Sequence, residues 1–328
     1  RPLYAVLVSR EVEVDQSEYN TDGLSDEDRL RIEQEKESAR IQRQVEADLG
    51  GFDIESEWVE EIHRENCIKI KLELGGAPPI HQSKYSLWIV NANKWMVVDS
   101  FELGEHEHGI DLQVMSLTEF FGNPSTAEEG SKIPFVAVGT GIVNKDGEDV
   151  ATKGRVLLFE VQNSELQLVY EKEIFHGPVT TLSCLSSEGR NRLMIGAGSD
   201  VNVEQWGENK LTQVGFFRAT MHILEIRHVK NFMVLSDAYD SLYFLVWRES
   251  DKSLTLLAKD YDPISVYAAG VLTRGAAMSL VCHDDRQNLQ FFQYAPGEAA
   301  ARGGNKLVCR ADFHLGRQTT FLSEHYCR

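Results

Sequence analysis

Three short stretches of the chain carry residue types that could do chemistry. In the first, an apolar run from Phe135 to Val138 leads into Gly139-Thr140-Gly141, with Gly147 and Gly154 further on. A glycine pair between a strand and a helix lets backbone N–H groups cradle a phosphate, provided a third glycine follows in register and opens that helix. Here Ile142-Val143-Asn144 follows instead, no Gly-Lys-Ser/Thr is present, and Gly154 opens another strand-like run. The same texture returns in Arg192-Leu193-Met194-Ile195-Gly196-Ala197-Gly198-Ser199-Asp200. A Gly-x-Gly that recurs in this way reads as a turn between two strands, with glycine at positive φ, and not as a nucleotide site.

The second stretch is Glu105-His106-Glu107-His108. Two imidazoles two residues apart can share a strand face and reach a metal. No further ligands stand near them in sequence and Gly109 follows, so the run reads as an exposed loop. The third, Cys282-His283-Asp284-Asp285, ends a strand-like run and reads as a polar turn. No Gly-x-Ser-x-Gly elbow occurs, and the scattered Ser, His and Asp residues define no triad. The sequence therefore assigns no catalytic, cofactor-binding or metal residue and no cofactor. Trp88, Trp95, Trp206 and Trp247 fall in or beside strand-like runs, away from any basic run. They read as packing groups and not as stacking platforms for bases.

What positions these stretches is a repeated β pattern. Residues 1–9 (RPLYAVLVS) read as one strand, and residues 10–65 as a charged insertion, helical or partly disordered. In that insertion Ser25 to Asp28 matches a capping box, Ile41, Val45 and Leu49 share a helical face, and Gly50-Gly51 supplies a stop. Beyond Cys67 short apolar or alternating runs recur between turn residues. They place strands at 84–92, 94–102, 110–120, 133–139, 154–161 and 166–172. Those that follow group in fours: 179–184, 192–196, 200–206 and 211–217; then 222–229, 232–237, 241–247 and 255–259; then 264–272, 277–282, 288–294 and 306–313. The third strands open at Gly154, Asp200, Ser241 and Asn288, 41 to 47 residues apart. That period with four strands per unit predicts an all-β, seven-bladed-type β-propeller, here a partial ring of four-stranded antiparallel blades. A sandwich or barrel gives no such module at near-constant spacing. Residues 1–328 would form most of one propeller domain, closed by strands from elsewhere in a longer parent, since the chain opens on Arg1 and not Met.

Composition narrows the function. The 328 residues are 42% hydrophobic, enough for a large core. No apolar run approaches the roughly 18 residues of a membrane helix. Five scattered cysteines (Cys67, Cys184, Cys282, Cys309, Cys327) form no Cys-x-x-Cys, which favours a reducing compartment, the cytosol or nucleus. A net charge of −18 repels phosphate backbones, and the most basic stretch, RLRIEQEKESARIQR, is interrupted by acids.

Five segments, in order, carry a family resemblance: RPLYAV, GEDVATKGRVLLFEV, YEKEIFHGPVTTL, KNFMVLSDAYDSLYFLVW and RADFHLG. Together they resemble the C-terminal region of the largest subunit of the cleavage and polyadenylation specificity factor. The superfamily also holds the large subunit of the damaged-DNA-binding protein, a cullin ubiquitin-ligase adaptor, and a splicing factor 3b large subunit. RPLYAV and the pair YEKE…GPVT favour the polyadenylation subunit. The charged insertion and the loop near Gly122 to Gly130 fall outside the resemblance. It implies the third propeller of a nuclear, noncatalytic scaffold whose fellow subunits read the poly(A) signal. Pre-mRNA would be reached mainly through those subunits. Partner-binding residues stay unassigned.

Overall fold

The computed structural model describes residues 3–13, 81–122, 128–143, 151–275 and 277–323. Two compact units are distinguished, Arg1–Arg10 with Lys84–Arg328, and Glu11–Ser83. The expected insertion at 10–65 lies, from residue 14 onward, outside the described residues, with its capping box and helical face. The turn sequence at 144–150 lies outside them too.

The described elements are strands and one 3-10 segment, Ala299–Gly304. β1 (Leu3–Glu13), β2 (His81–Asn91) and β3 (Met96–Glu102) form a three-stranded sheet in that order. β1 runs past the expected end at residue 9, because the Glu-Val-Glu alternation at 11–13 has strand period although its charge reads as insertion. Four antiparallel ladders follow. The first holds β4 (Glu107–Phe121), β5 (Glu128–Val143), β6 (Ala151–Gln162) and β7 (Glu165–Ile174). The second holds β8 (Val179–Ser187), β9 (Arg190–Ala197), β10 (Asp200–Gly207) and β11 (Lys210–Arg218). β12 (Ile223–Val229), β13 (Phe232–Asp237), β14 (Leu242–Arg248) and β15 (Ser253–Lys259) form the third. The last holds β16 (Val266–Arg274), β17 (Ala277–Asp284), β18 (Asn288–Gln293) and β19 (Val308–His314). One parallel bridge, Trp206 to Glu119, joins β10 to β4 and makes the first two ladders one continuous sheet.

Successive ladders meet face to face, which explains their unbroken apolar runs: a strand buried on both faces needs no polar alternation. On β5, Phe135 and Ala137 pack toward Leu193, Ile195 and Trp206 of the next ladder. Val136 and Val138 point the other way, into a layer with Leu87 and the half-buried Leu7 and Phe101 of the first sheet. Met194, Val203, Leu235 and Trp247 fill the following layer, and Phe244, Leu280 and Phe292 the one after. Burying a side chain such as Leu or Phe stabilises by about 1.5–3 kcal/mol, so these layers hold the ladders together.

The first strand of every four-stranded ladder is bulged at the same place, between Gly109 and Asp111, Val179 and Thr181, Ile223 and Glu225, and Val266 and Ala268. A bulge inserts one extra residue and re-aims the next side chain. Here the re-aimed side chain reaches the following ladder. Asp111 Oδ2 accepts the Leu182 N–H at 2.6 Å, Thr181 Oγ1 accepts the Ile226 N–H at 3.3 Å, and Glu225 Oε2 accepts the Ala269 N–H at 2.6 Å. Ala268, at the fourth equivalent position, has no acceptor to offer.

The Gly-x-Gly reading is corrected at this level. Gly139 and Gly141 lie inside β5 and Gly196 inside β9, none at positive φ. A Cβ on Gly139 would stand 2.7 Å from Val179 Cγ1, and one on Gly196 would stand 2.6 Å from Thr181 Cγ2. These glycines admit the close approach of a bulged first strand. Among the described residues of the two stretches, Gly198 alone, with φ of +58°, serves as the expected turn glycine.

Candidate interaction surface

The structure separates the residues that the sequence singled out. Glu105 and His106 form a turn, but Glu107 opens β4 and is only 2% exposed, which corrects the exposed-loop reading. Its Oε1 accepts from Arg155 Nε and from Thr140 Oγ1, both at 2.6 Å. Its Oε2 accepts from Arg155 Nη2 at 2.6 Å and from the Gly104 N–H at 2.8 Å. Burial pushes this carboxyl up, but the Arg155, Thr140 and Gly104 hydrogen bonds outweigh it and hold it below the usual carboxylate range. His108 stacks on Tyr85, with ring centroids 4.9 Å apart. Among the described residues no group of three His, Cys, Asp or Glu is placed to hold a metal ion.

The polar-turn reading of Cys282-His283-Asp284 is likewise corrected: all three are buried at the end of β17. Asp284 closes the turn into β18 by accepting the Asn288 N–H at 2.7 Å and its Nδ2 at 2.9 Å. Burial pushes the Cys282 thiol far up, away from reactivity. The tryptophans divide. Trp206 packs edge-on to Phe135 and Trp247 is buried between ladders, as expected. Trp95 is exposed near Tyr4, and the half-buried Trp88 lies under the Arg10 guanidinium.

One polar cluster gave no sequence signal. Arg192, in the apolar run of β9, is 1% exposed and pairs with Glu249 through Nη1–Oε2 at 2.7 Å and Nη2–Oε1 at 2.6 Å. Its guanidinium lies over the rings of Phe120 and Trp247 at 5.1 and 5.6 Å. Trp247 Nε1 also donates to Glu249 Oε2 at 2.8 Å, and Arg190 Nη1 donates to Oε1 at 3.1 Å. Burial raises the Glu249 carboxyl, yet these partners hold it low. The cluster ties β4, β9 and β14 together.

One solvent-facing cleft lies at the first strands. A cleft of about 360 Å³ runs over β4, β8, β12 and β16, with Asp111, Ser183, Glu225, Arg227, Tyr267 and Phe321 among its walls. Ser183 Oγ lies 2.9 Å from His228 Nδ1, and burial holds that imidazole below its ordinary range. Glu225 is raised by burial, only partly offset by the Ala269 N–H and Arg227. A second cavity, of about 330 Å³, opens where Phe120 meets Gln205, Lys210 and Thr212. The first sheet also exposes Tyr4, Val6, Trp95 and Met96.

These features define an all-β protein of stacked antiparallel ladders, cross-tied by buried polar groups and presenting clefts and sheet faces for contact. The family model described as the CPSF A subunit region matches residues 84–325, and the chain belongs to that family. It is 34% identical over 231 residues, 69% of the chain, to the probable cleavage and polyadenylation specificity factor subunit 1 of Oryza sativa subsp. japonica. It is 34% identical over 229 residues, 68% of the chain, to the cleavage and polyadenylation specificity factor subunit 1 of Arabidopsis thaliana. Protein cft1 of Schizosaccharomyces pombe is 28% identical over 252 residues, 73% of the chain. The aligned parts make up 15%, 15% and 16% of those relatives, so the chain spans a small share of their length. The resemblance read from the five sequence segments points to this same family.

Proposed function

We propose that the chain is part of a noncatalytic scaffold in the pre-mRNA 3′-end cleavage and polyadenylation complex of the nucleus. It would organise the subunits that recognise the poly(A) signal, with its ladders serving as blades of one β-propeller. The observation that carries the propeller reading is the repeated tie between first strands. The same bulged position reaches from each ladder to the next, as expected where first strands gather side by side around an axis. The names of the relatives carry the biological reading. A net charge of −18 supports the reading that pre-mRNA is reached mainly through partner subunits. Loops and sheet faces on a rigid framework are the usual seats of such contacts.

Affinity purification of the full parent protein, followed by mass spectrometry, tests the assignment. Co-purification of the poly(A)-signal readers and the cleavage nuclease is the expected result. Recovery of cullin or splicing components in their place overturns it.

A further inference from the structure

The first ladder reaches into the second by a two-stranded arm. β4 and β5 run 15 and 16 residues, against 6 to 9 for the first and second strands of the other ladders. β5 pairs with β6 only from Val136 onward. Before it β4 and β5 continue alone, from Thr118 opposite Lys132 to Phe121 opposite Glu128. In the second ladder β9 and β10 pair from Ala197 opposite Asp200 to Leu193 opposite Glu204, and then part. The equivalent strands of the third ladder stay paired to the first residue of β13, Phe232 opposite Val246. The arm touches both parted ends. Trp206 bridges to Glu119 in parallel, and a Cβ on Gly207 would stand 2.1 Å from the Phe120 carbonyl oxygen. On the β9 side Thr118 Oγ1 accepts the Asn191 N–H at 2.9 Å, and the Ser116 carbonyl accepts Asn191 Nδ2 at 2.7 Å. Glu129 Oε1 accepts from Arg190 Nε at 2.5 Å.

We propose that this arm is a wedge in a strand-exchange device: the end of β10 trades β4 for β9, and the second ladder zips shut as the arm withdraws. Continued without a shift, the β9–β10 register sets Gln205 opposite Arg192, Trp206 opposite Asn191 and Gly207 opposite Arg190. The Asn191 N–H, held by Thr118 in the wedged state, then meets the Trp206 carbonyl. Its backbone donor is satisfied either way, as an element with two arrangements requires. The seat of the arm is also incomplete. A cavity of about 330 Å³ lies where Phe120 and Gly122 meet Gln205, Gly207 and Lys210. Gln205 is only 4% exposed, yet its Oε1 has no partner among the described residues. Free space and an unpaired polar atom make the arm easier to release than a close-packed strand. In the wedged state the first two ladders are one continuous sheet. In the zipped state side-chain contacts, such as Asp111 to the Leu182 N–H, join them. The arm thus sets how firmly the first ladder is carried on the second, whichever complex the chain serves.

Hydrogen exchange on the 328-residue chain, read amide by amide, tests the device. Gly207→Val drives a Cβ into the Phe120 carbonyl and so expels the arm, while a β-branched residue suits the zipped strand. A two-stranded arm without its seat is only marginally stable, so amides at 118–121 and 129–132 should exchange at least about tenfold faster than in wild type. The Asn191 amide should keep its protection to within about threefold, because the Trp206 carbonyl replaces Thr118 Oγ1. Simple opening without exchange of partners would expose Asn191 together with the arm. Unchanged exchange in the arm, or an Asn191 amide that speeds up with it, therefore overturns the proposal. Should Gly207→Val fail to fold, wild type in sub-denaturing urea decides. The arm amides must then exchange ahead of Asn191, and exchange of all of them together rejects the wedge.

Discussion

Replacing Glu249 by alanine tests whether the Arg192 cluster is a buried cross-tie or a decorative ion pair. The substitution removes two short hydrogen bonds to Arg192 and the acceptor for Trp247 Nε1. Arg192 is 1% exposed and cannot turn to water, so its charge would be left uncompensated between Phe120 and Trp247. Breaking a buried pair from one side costs about 3–5 kcal/mol. The orphaned indole N–H adds about 1 kcal/mol. Arg190 keeps its bond to Glu129, so the loss is concentrated on Arg192. Glu249→Gln retains one acceptor oxygen and should cost less than Glu249→Ala. The double variant Arg192→Met with Glu249→Leu removes both charges and should recover much of the loss, since an apolar pair of similar volume is often neutral or better. Urea unfolding, followed by tryptophan fluorescence, reports each midpoint and slope. A loss under about 1 kcal/mol for Glu249→Ala, the scale of an exposed pair, would refute the reasoning. So would a double variant as unstable as the sum of the single ones.

Other measurements probe the remaining polar and glycine positions. The Glu107 carboxyl is depressed in the fold, so its contribution is present above the unfolded value near 4.5 and is lost as pH falls through the lower folded value. The stability gap between wild type and Glu107→Gln should therefore be steady near pH 7 and shrink below about pH 4.5 in acid-dependent urea melts; a gap that widens there contradicts the Arg155 clamp. Glu225→Ala leaves the Ala269 N–H without its acceptor and should cost about 1–3 kcal/mol in the same melts. Gly139→Ala, which drives a Cβ to 2.7 Å from Val179, should cost about 1–3 kcal/mol as overpacking. Gly189→Ala, with nothing within 4 Å of its Cβ, should show only the smaller cost of its positive φ. Equal losses at the two glycines would return Gly139 to the role of a turn residue.

The strands were legible and the polar clusters were not, for one physical reason. A strand buried on both faces writes itself as a local apolar run, such as Phe135 to Val138 or Phe244 to Trp247, and the ladders repeat at a readable interval. A buried charge is defined by a partner far away in sequence. Glu107 meets Arg155 at a separation of 48 residues, and Arg192 meets Glu249 at 57. Read locally, Glu107 belongs to an acidic loop and Arg192 is a stray charge in an apolar strand. His283 misled in the same way, because its partners come from the segment after β19. The Gly-x-Gly failed differently. Composition says that no side chain is present but not whether the freedom serves a turn or a close approach, and Gly139 and Gly198 divide on that point.

The tie between ladders also explains why the repeat is plain in geometry and faint in sequence. Its requirement is an acceptor oxygen one residue past a bulge, within reach of a neighbouring N–H. Aspartate at 111, threonine at 181 and glutamate at 225 all meet it, at different lengths and with different charge. The position across the bulge is equally permissive: Gly139, Gly196, Ser236 and His283 occupy it in turn. A constraint on backbone register and one hydrogen bond leaves residue identity free, so no motif forms. The freedom is also usable. Where the opposing residue is glycine the space is taken by a bulged first strand, and where it is His283 the same place binds the segment after β19. One structural slot thus closes the framework in three ladders and, in the fourth, ties down the segment that follows β19.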